Sequence, residues 1–453
     1  MQAAPGAAAA TIVAPASAAG RAGVGVLRIS GSRGGELCAR LSGSPPPAPR
    51  RAVLRTMVDP TTGEPIDRAM LLWFAGPHSY TGEDLLEIHH HGGPAVLAAL
   101  LGACCGMPGV RPAEPGEFTR RAFLNGKLDL AQAEAIADLV DAATRAQARQ
   151  ALRQLDGELG RRAESWREAI LEGLARLEAE IDFAAEEEVP EVQLGFVSAE
   201  LQATAAAIGA ALAEAGRGTR LRTGVTVAVI GPPNAGKSTL VNLLARREVA
   251  IVTPHPGTTR DVLEVPLDLA GLPVTLLDTA GLREALDEIE AEGVARARRR
   301  AATADLRLVM LDAERSPERQ LAELQPAEGD LVALNKIDLM PRGAAAEMKM
   351  GGLLPVSCRT GEGVERLLEA LVERARALTG DGSAAVVTRE RHRAALAEAR
   401  DALERFQAGI GGAELALLAE ELRLAARAIG RITGRTGVEE VLDRIFATFC
   451  IGK

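Results

Sequence analysis

The clearest signal in this chain is the octapeptide Gly231-Pro-Pro-Asn-Ala-Gly236-Lys237-Ser238. It matches the pattern GxxxxGKS/T, in which a glycine-rich loop lets backbone N–H groups surround a phosphate. The pattern follows the apolar, strand-like run Val225 to Ile230 and precedes an apolar helical stretch, which is the context that the motif requires. We therefore predict a nucleoside triphosphate site in which Lys237 reaches the β- and γ-phosphates and the Ser238 hydroxyl binds Mg²⁺.

Two more motifs follow, each directly after another apolar run. Asp278-Thr-Ala-Gly281 places a carboxylate where it can hold the magnesium shell and an amide where it can meet the γ-phosphate. Asn335-Lys336-Ile337-Asp338 comes after Leu331 to Leu334. An aspartate at that point accepts hydrogen bonds from guanine N1 and the exocyclic amine, donors that adenine arranges differently. The three motifs in this order predict GTP as the nucleotide.

The chain around these motifs alternates strand-like and helical stretches from residue 222 to 379, which is typical of a parallel α/β sheet. Two helical blocks flank it, residues 126–221 and 380–453. In the first block Ile170, Leu174, Leu177 and Ile181 share one helical face, and both blocks contain long proline-free stretches. Residues 1–125 carry short β-type runs between Gly/Pro segments and predict an α+β domain. The simplest arrangement inserts the α/β domain into a discontinuous helical domain.

Length, composition and net charge exclude several classes of protein. The chain has 453 residues, which suggests about three domains. A content of 47% hydrophobic and 25% charged residues excludes a disordered chain and a fibre. The formal net charge of −9 offers no general attraction for polyanions, so contact with nucleic acid needs a local basic patch. Arg296, Arg298, Arg299 and Arg300 form such a cluster, although a solvated helix face explains them equally well.

Cysteine usage and hydropathy predict the compartment. The five cysteines are an odd number without CxxC spacing, which fits a reducing cytoplasm better than disulfides or zinc. The longest apolar run, Ala95 to Cys105, is shorter than the ~20 residues that span a bilayer. We expect a cytoplasmic protein with no membrane insertion. His89, His90 and His91 look like a metal site, but neighbours in a strand point to opposite faces and no Cys or acid joins them at ligand spacing.

The sequence between the first two motifs predicts a switch loop. Thr258-Thr259-Arg260-Asp261 would place Thr259 on Mg²⁺ and the γ-phosphate, unless these threonines only cap or turn the chain. Leu282 follows the second motif where Ras-like enzymes use Gln to orient water, so hydrolysis must be arranged otherwise. Val356-Ser357-Cys358 resembles the loop that supports the base in GTPases.

Here the chain resembles the potassium-activated GTPases of the tRNA-modification GTPase family MnmE (TrmE), one of the TrmE-Era-EngA-like GTPases, which carry an Asn in the phosphate loop and a GTTRD switch. Asn234 and Gly257 to Asp261 match these features. The resemblance implies K⁺ bound by Asn234, Thr253, Thr258 and the His255 carbonyl, a charge that replaces a missing arginine finger. It also implies that Glu290 orients the attacking water, although Glu290 could be one solvated acid in an acidic run. The implied GTP contacts are Asn234, Ala235, Gly236, Lys237, Ser238, Thr239, Thr253, Pro254, His255, Pro256, Gly257, Thr258, Thr259, Asp278, Thr279, Ala280, Gly281, Asn335, Lys336, Asp338 and Ser357.

The resemblance extends over nearly the whole chain. Thr11 to Ala14, Tyr80 to Asp84 and Pro115 to Glu134 match the family's N-terminal domain, and Phe449-Cys450-Ile451-Gly452-Lys453 matches its C-terminal motif. That domain implies a dimerising fold that binds 5,10-methylene- or 5-formyl-tetrahydrofolate. The implied folate contacts are Arg28, Glu87, Lys127 and Lys453. Two questions stay open: Arg28 and Glu87 could be a plain surface pair, and Cys450 could be a nucleophile or a core residue.

The predicted architecture is therefore a multidomain α+β, all-α and α/β chain: an N-terminal tetrahydrofolate-binding α+β domain, a discontinuous helical domain and an inserted Ras-like P-loop GTPase domain. The resemblance implies a homodimer that forms a heterotetramer with an MnmG-type flavoprotein and modifies C5 of wobble uridine 34 in certain tRNAs. FAD and NADH would come through that partner, since this chain has no GxGxxG motif. Two rivals are a ribosome-assembly GTPase and a folate-dependent aminomethyl transfer enzyme without an RNA substrate.

Overall fold

The structure is a computed structural model that describes residues 10–183, 193–247, 249–251, 264–278, 302–341, 352–380, 385–437 and 439–453. The chain divides into two compact units. The first comprises Met1–Ala137 with Gly430–Lys453, and the second comprises Asp138–Ile429. The last 24 residues, 430 to 453, thus belong with the N-terminal unit rather than with the helices that precede them in sequence.

The first unit is built on a six-stranded sheet in the order β3-β4-β5-β2-β1-β6. All pairings are antiparallel except the one between β1 and β6. The strands are β1 (Thr11–Pro15), β2 (Ala22–Ser30), β3 (Val53–Val58), β4 (Pro65–Phe74), β5 (Leu85–Gly92) and β6 (Val110–Pro112). The helices of this part are α1 (Gly34–Ser42), α2 (Pro94–Cys105), α3 (Glu117–Leu124), α4 (Leu130–Asp141) and, near the end of the chain, α13 (Glu439–Phe446).

Alternation along the central strands explains which residues reach the core. Leu27 and Ile29 of β2 and Leu86 and Ile88 of β5 are fully buried together with residues of α1 and α2. The residues between them point to the opposite face because successive side chains in a strand alternate. Arg28 therefore lies on that face, directly opposite Glu87 in the register of β2 and β5.

The second unit contains the helical part and the nucleotide-binding sheet. Its helices are α5 (Arg145–Leu155), α6 (Glu158–Phe183), α7 (Gln193–Thr223), α8 (Lys237–Ala245), α9 (Pro317–Leu324), α10 (Val364–Thr379), α11 (Glu390–Gly409) and α12 (Leu415–Thr433). The predicted stripe of α6 is buried at Ile170, Leu174 and Leu177. Within the described ranges, the stretch Gly195–Thr223 of α7 is long and apolar enough to cross a membrane by length and composition, a test that core helices also pass. It packs against α6 and α11.

The second sheet has the strand order β12-β11-β10-β7-β9-β8. Its strands are β7 (Val225–Ile230), β8 (Glu264–Leu269), β9 (Leu272–Asp278), β10 (Leu306–Asp312), β11 (Leu331–Asn335) and β12 (Leu353–Pro355). Five strands are parallel, and only the edge strand β8 runs antiparallel, to β9. The predicted fold class is confirmed: an α+β unit, helices and a mostly parallel α/β sheet follow one another. The sequence did not indicate β8, since Glu264, Pro266 and Asp268 interrupt its apolar pattern.

Candidate functional site

The loop after β7 has a backbone that only glycine accommodates at two points. Gly231 and Gly236 have positive φ angles of 154° and 93°. A Cβ at Gly231 would collide with the carbonyl oxygen of Met310, and one at Gly236 with the side-chain amide of Asn335. Asn234 between them also has a positive φ, 65°. The loop therefore turns tightly into the first turn of α8, and the backbone N–H groups at a helix N-terminus favour an anion.

Lys237 is folded over this loop. Its Nζ donates hydrogen bonds to the carbonyl oxygens of Gly231 at 3.0 Å and Pro232 at 2.9 Å, and the side chain is buried. Ser238 and Thr239, the next two residues of α8, are exposed. An ammonium group held by loop carbonyls, beside a helix N-terminus and an exposed hydroxyl, fits a triphosphate with Mg²⁺.

Asp278 lies at the same edge of the sheet. It is the last residue of β9 and pairs in register with Val229 near the end of β7, and it is 5% exposed. The carboxyl ends of parallel strands gather the ligands of such sheets, and Asp278 is one strand away from the phosphate loop. The remaining predicted residues of this side lie outside the described residues: Thr253, Pro254, His255, Pro256, Gly257, Thr258, Thr259, Thr279, Ala280, Gly281 and Glu290.

Asn335 joins the two sides of the nucleotide site. Its Nδ2 donates to the Ala235 carbonyl at 2.8 Å, and its Oδ1 accepts from the backbone N–H of Cys358 at 3.0 Å. Lys336 follows with a positive φ of 68°, and its Nζ donates to Asp312 at 2.7 Å and Glu314 at 2.8 Å. The hydrogen bond to Asp312 raises the pKa of Lys336 above its ordinary value. Asn335 thus ties the phosphate loop to the loop after β12.

Asp338 is held as an ionised acceptor. Ser357, which is fully buried, donates its hydroxyl to Asp338 Oδ1 at 2.6 Å, and Arg359 lies 2.5 Å from Oδ2. The hydrogen bond from Ser357 lowers the pKa of Asp338. The geometry suits recognition of the two adjacent guanine donors. The sequence analysis did not predict the pairing of Arg359 with Asp338.

A second candidate site lies in the first unit, on the sheet face opposite the core. Arg28 donates from Nε and Nη2 to Glu87 Oε1 at 3.1 and 2.8 Å, and from Nη1 to the Gly452 carbonyl at 3.3 Å. The side chains of Arg28 and Glu87 are only 18% and 15% exposed. They are therefore not the plain surface pair left open above, and the C-terminal segment meets them directly.

The C-terminal segment is fixed by close backbone contacts. Gly452 has a φ of 94°, and a Cβ there would collide with the carbonyl of Pro15. The Lys453 carbonyl oxygen accepts the Phe118 N–H at 3.2 Å. Burial, together with the charge of Arg28, lowers the pKa of Lys453. Cys450 is exposed, so it is not the core residue considered as an alternative.

Two aromatic rings complete this site, and sequence reasoning did not single them out. The guanidinium carbon of Arg28 lies 5.5 Å from the ring centroid of Tyr80 and 5.9 Å from that of Phe118. The Tyr80 hydroxyl is 2.7 Å from Thr119 Oγ1. Lys127 contacts the loop before Tyr80 through a 3.0 Å hydrogen bond from Nζ to the Pro77 carbonyl. Phe118 is fully buried, whereas the half-buried Tyr80 ring, beside a guanidinium and a carboxylate, fits a pterin with an acidic tail.

A charged cluster supports the start of α3. Glu117 accepts from Arg111 at 2.8 and 2.7 Å, from Arg121 at 2.9 Å and from the Glu114 N–H at 3.0 Å. Arg121 also pairs with Glu83 at 2.9 Å. Burial alone would raise the pKa of Glu117, but the hydrogen bonds, led by Arg111, lower it to about 2. The cluster holds the turn whose next amide, that of Phe118, meets Lys453.

The three histidines separate as strand geometry predicts. His90 is buried with Nδ1 2.7 Å from the His91 carbonyl, whereas His91 is exposed and its Nδ1 is 2.7 Å from Asp67. His89 Nε2 lies 3.4 Å from Glu87. Within the described ranges, no three His, Cys, Asp or Glu side chains are grouped so that they could hold a metal ion.

The chain matches known proteins over its full span. Residues 11–127 match the family model of the GTP-binding protein TrmE N-terminus, and residues 130–450 match that of the MnmE helical domain. It is 53% identical over 444 residues to the tRNA modification GTPase MnmE of Paramagnetospirillum magneticum, covering 98% of this chain and 99% of that one. It is 50% identical over 463 residues to the Homo sapiens mitochondrial 5-taurinomethyluridine-[tRNA] synthase subunit GTPB3, covering 98% and 93%. The chain therefore belongs to the MnmE family of tRNA modification GTPases.

Proposed function

We propose that this chain is a potassium-activated GTPase that works with an MnmG-type FAD partner. Together they add an aminomethyl or carboxymethylaminomethyl group to C5 of wobble uridine 34 of certain tRNAs, using a folate one-carbon unit. The observation that carries this proposal is the packing of Gly452 and Lys453 against Arg28 beside Glu87, in a chain that also carries a guanine-nucleotide site. A GTPase that serves only as a binding switch would not require the packing of Gly452 and Lys453 against Arg28.

At the nucleotide site the chain's own residues bind and orient. The amides around Gly236 and the amine of Lys237 receive the phosphates, and Asp338, fixed by Ser357, selects guanine. Ser238 and Thr259 would hold Mg²⁺, with Asp278 in its outer shell; the ion neutralises charge that develops on the phosphates. Asn234, the described member of the potassium set, stands exposed on the loop with its strained φ. Thr253, His255 and Thr258 would complete that set, and Glu290 would orient the attacking water.

At the folate site, Glu87 and Arg28 would receive the pterin ring, with Lys127 and Lys453 as further contacts. The folate supplies the one-carbon unit when it is bound. Lys453 is half-buried with a lowered pKa, so its amine gives up a proton more readily than an ordinary lysine. Cys450 is exposed, and we assign its thiol a nucleophilic role.

The proposal extends to the organisation of the protein. We assign residues 1–125 to folate binding and dimerisation, 126–221 and 380–453 to the helical domain, and 222–379 to the GTPase domain; the last part of the helical domain, residues 430–453, lies in the first compact unit. The working assembly would be a homodimer, joined by the flavoprotein to a heterotetramer in the cytoplasm. FAD and NADH would be bound by the partner.

Two measurements on the purified full chain test these points. GTP hydrolysis in potassium chloride should exceed that in sodium chloride at equal ionic strength, because the ion takes the place of an arginine finger, a charge that is worth about 10³-fold or more in such sites. Equal rates would remove the potassium assignment. Equilibrium dialysis with 5-formyl-tetrahydrofolate should show binding by the intact chain that an Arg28→Met variant loses. Equal binding by both would remove the folate assignment and leave the GTPase assignment standing.

A further inference from the structure

One face of α5 carries three glutamines, Gln147, Gln150 and Gln154, at spacings of three and four residues. These spacings place them in a row along a single side of a helix. Gln150 and Gln154 are 6% and 4% exposed. Buried glutamines require partners, and the amide nitrogen of each of these three donates to another segment of the second unit.

The hydrogen-bond partners lie in the two segments that connect the helical part to the nucleotide-binding sheet. We call these segments the two crossings: the first is the end of α7, and the second is the segment before α11. Gln147 donates to the Arg222 carbonyl at 2.8 Å and Gln150 to the Gly218 carbonyl at 3.1 Å, both in the last turns of α7 before β7. Gln154 donates to the Val386 carbonyl at 2.8 Å and to Thr388 Oγ1 at 2.9 Å, in the segment before α11.

The two crossings also hold each other. Arg222 donates from Nε to the Thr388 carbonyl at 3.0 Å. Gly218 lies so close to the second crossing that an added Cβ would collide with the Val387 carbonyl. Arg389 pairs with Asp138 at 2.6 Å. The two crossings thus contact each other, and α5 packs along both of them.

The first turn of α5 touches the nucleotide-binding sheet itself. The Ala146 N–H donates to the carbonyl of Gly271 at 3.3 Å, in the turn between β8 and β9, and Ala146 belongs to the same buried cluster as Leu221 and Val225. This hairpin lies in sequence between the predicted switch segment, which precedes β8, and Asp278 at the end of β9. Each end of the hairpin is therefore one strand away from the turn that contacts α5.

We propose that Gln147, Gln150 and Gln154 are positioning residues that transmit the nucleotide state from the β8–β9 hairpin to the helical part. This inference rests on the proposed function. It adds the residues through which the helical part of the chain responds to the bound nucleotide. A small polar cavity of about 90 Å³ beside the row gives it room to shift. Gln154 Oε1 lies buried beside this cavity and accepts no hydrogen bond from the described residues.

Hydrogen–deuterium exchange of the full chain, with Mg²⁺ and either GDP or a non-hydrolysable GTP analogue, tests the route. In the wild type, exchange of peptides covering α5 and residues 385–389 should differ between the two nucleotides. In Gln150→Met with Gln154→Met, that difference should be lost, because the coupling between the two sites is removed, while the difference in β7 and α8 stays.

The chain offers a matched control. Gln407 donates to the Ser198 carbonyl at 2.7 Å and accepts from its hydroxyl at 2.7 Å, joining α11 to α7 within the helical part. Gln407→Met should keep the nucleotide-dependent difference in α5. If the double variant fails to fold, Gly218→Ala displaces the second crossing with all three glutamines present and should give the same loss.

Two kinds of result would overturn the proposal. A double variant or Gly218→Ala chain that keeps the wild-type difference would overturn the proposal, as would a wild type with no difference in α5. GTP turnover is measured separately on the same samples. Absent turnover with nucleotide-dependent exchange in α5 would remove the proposed GTPase function but leave the route intact.

Discussion

Replacing Glu117 by Gln removes the negative charge at the centre of the charged cluster at the start of α3. The carboxylate is 10% exposed and accepts two hydrogen bonds from Arg111 and one from Arg121. Its pKa falls from 4.5 to about 2 in the folded chain. At about 1.4 kcal/mol per pH unit, the ionised form stabilises the first unit by about 3 kcal/mol at neutral pH. We expect Glu117→Gln to lose about that amount, as for other broken buried pairs.

The pH dependence has a defined sign. Because the folded pKa is depressed, the contribution is complete above the unfolded value of 4.5 and is lost as pH falls through about 2. The gap in unfolding free energy between wild type and Glu117→Gln should therefore stay constant from pH 7 to about pH 5. It should shrink at lower pH, wherever the first unit remains folded enough to measure.

The two tryptophans allow a local assay. Trp73 is buried in the first unit and Trp166 lies in α6 of the second, so a Trp166→Phe background makes fluorescence report the first unit alone. With a slope of about 2 kcal/mol per molar urea, the midpoint should fall by about 1.5 M. Glu36→Gln, which breaks an exposed 3.5 Å pair with Arg33, is the control and should change stability by less than about 0.5 kcal/mol. A Glu117→Gln chain as stable as this control, or a gap that widens towards acid, would refute the reasoning.

Three further perturbations have expected outcomes. Gly236→Ala should abolish binding of a fluorescent GTP analogue without unfolding the chain, since the new Cβ meets the Asn335 amide; binding within tenfold of wild type would contradict this. Ser357→Ala removes the hydrogen bond to Asp338 Oδ1 and leaves only the Arg359 pair, so it should weaken GTP affinity by about tenfold, the value of one hydrogen bond to a charged group, measured by the same titration. The Asp338 carboxylate is already ionised at neutral pH, so this loss should not change between pH 6 and 8. Tyr80→Leu removes one ring beside Arg28 and should weaken 5-formyl-tetrahydrofolate binding about fivefold in equilibrium dialysis, whereas unchanged affinity would exclude Tyr80 from the site.

The sequence predicted the α/β sheet well because its signals are local. Val225–Ile230, Leu306–Asp312 and Leu331–Asn335 are mostly apolar runs with a motif or turn at their ends, as is typical of buried parallel strands. The edge strand β8 lacks such a run because its polar and apolar residues alternate: Leu267 and Leu269 are buried, whereas Pro266 and Asp268 between and beside them are only partly buried. Local pattern therefore shows where the central strands begin and end but not how the edge is made.

The second candidate site could not be predicted from local pattern. Arg28 and Glu87 are 59 residues apart, and Gly452 is 424 residues from Arg28, so only the strand register and the C-terminal packing bring them together. The resemblance supplied these residues, but not Tyr80 or Phe118 as neighbours of Arg28. Nor could sequence show that residues 430–453 group with the N-terminal unit, because their helical pattern continues that of α11 and α12.

The most direct test of the central claim is mass spectrometry of tRNA nucleosides from cells that lack this gene and from complemented cells. The account predicts loss of C5 aminomethyl-type uridines at position 34, restored by the intact gene and by a Cys105→Ser copy. A Lys237→Ala copy, without the phosphate-loop amine, and a Cys450→Ser copy should both fail at equal protein levels. Unchanged wobble uridines in the deletion strain, or full rescue by both variants, would contradict the account.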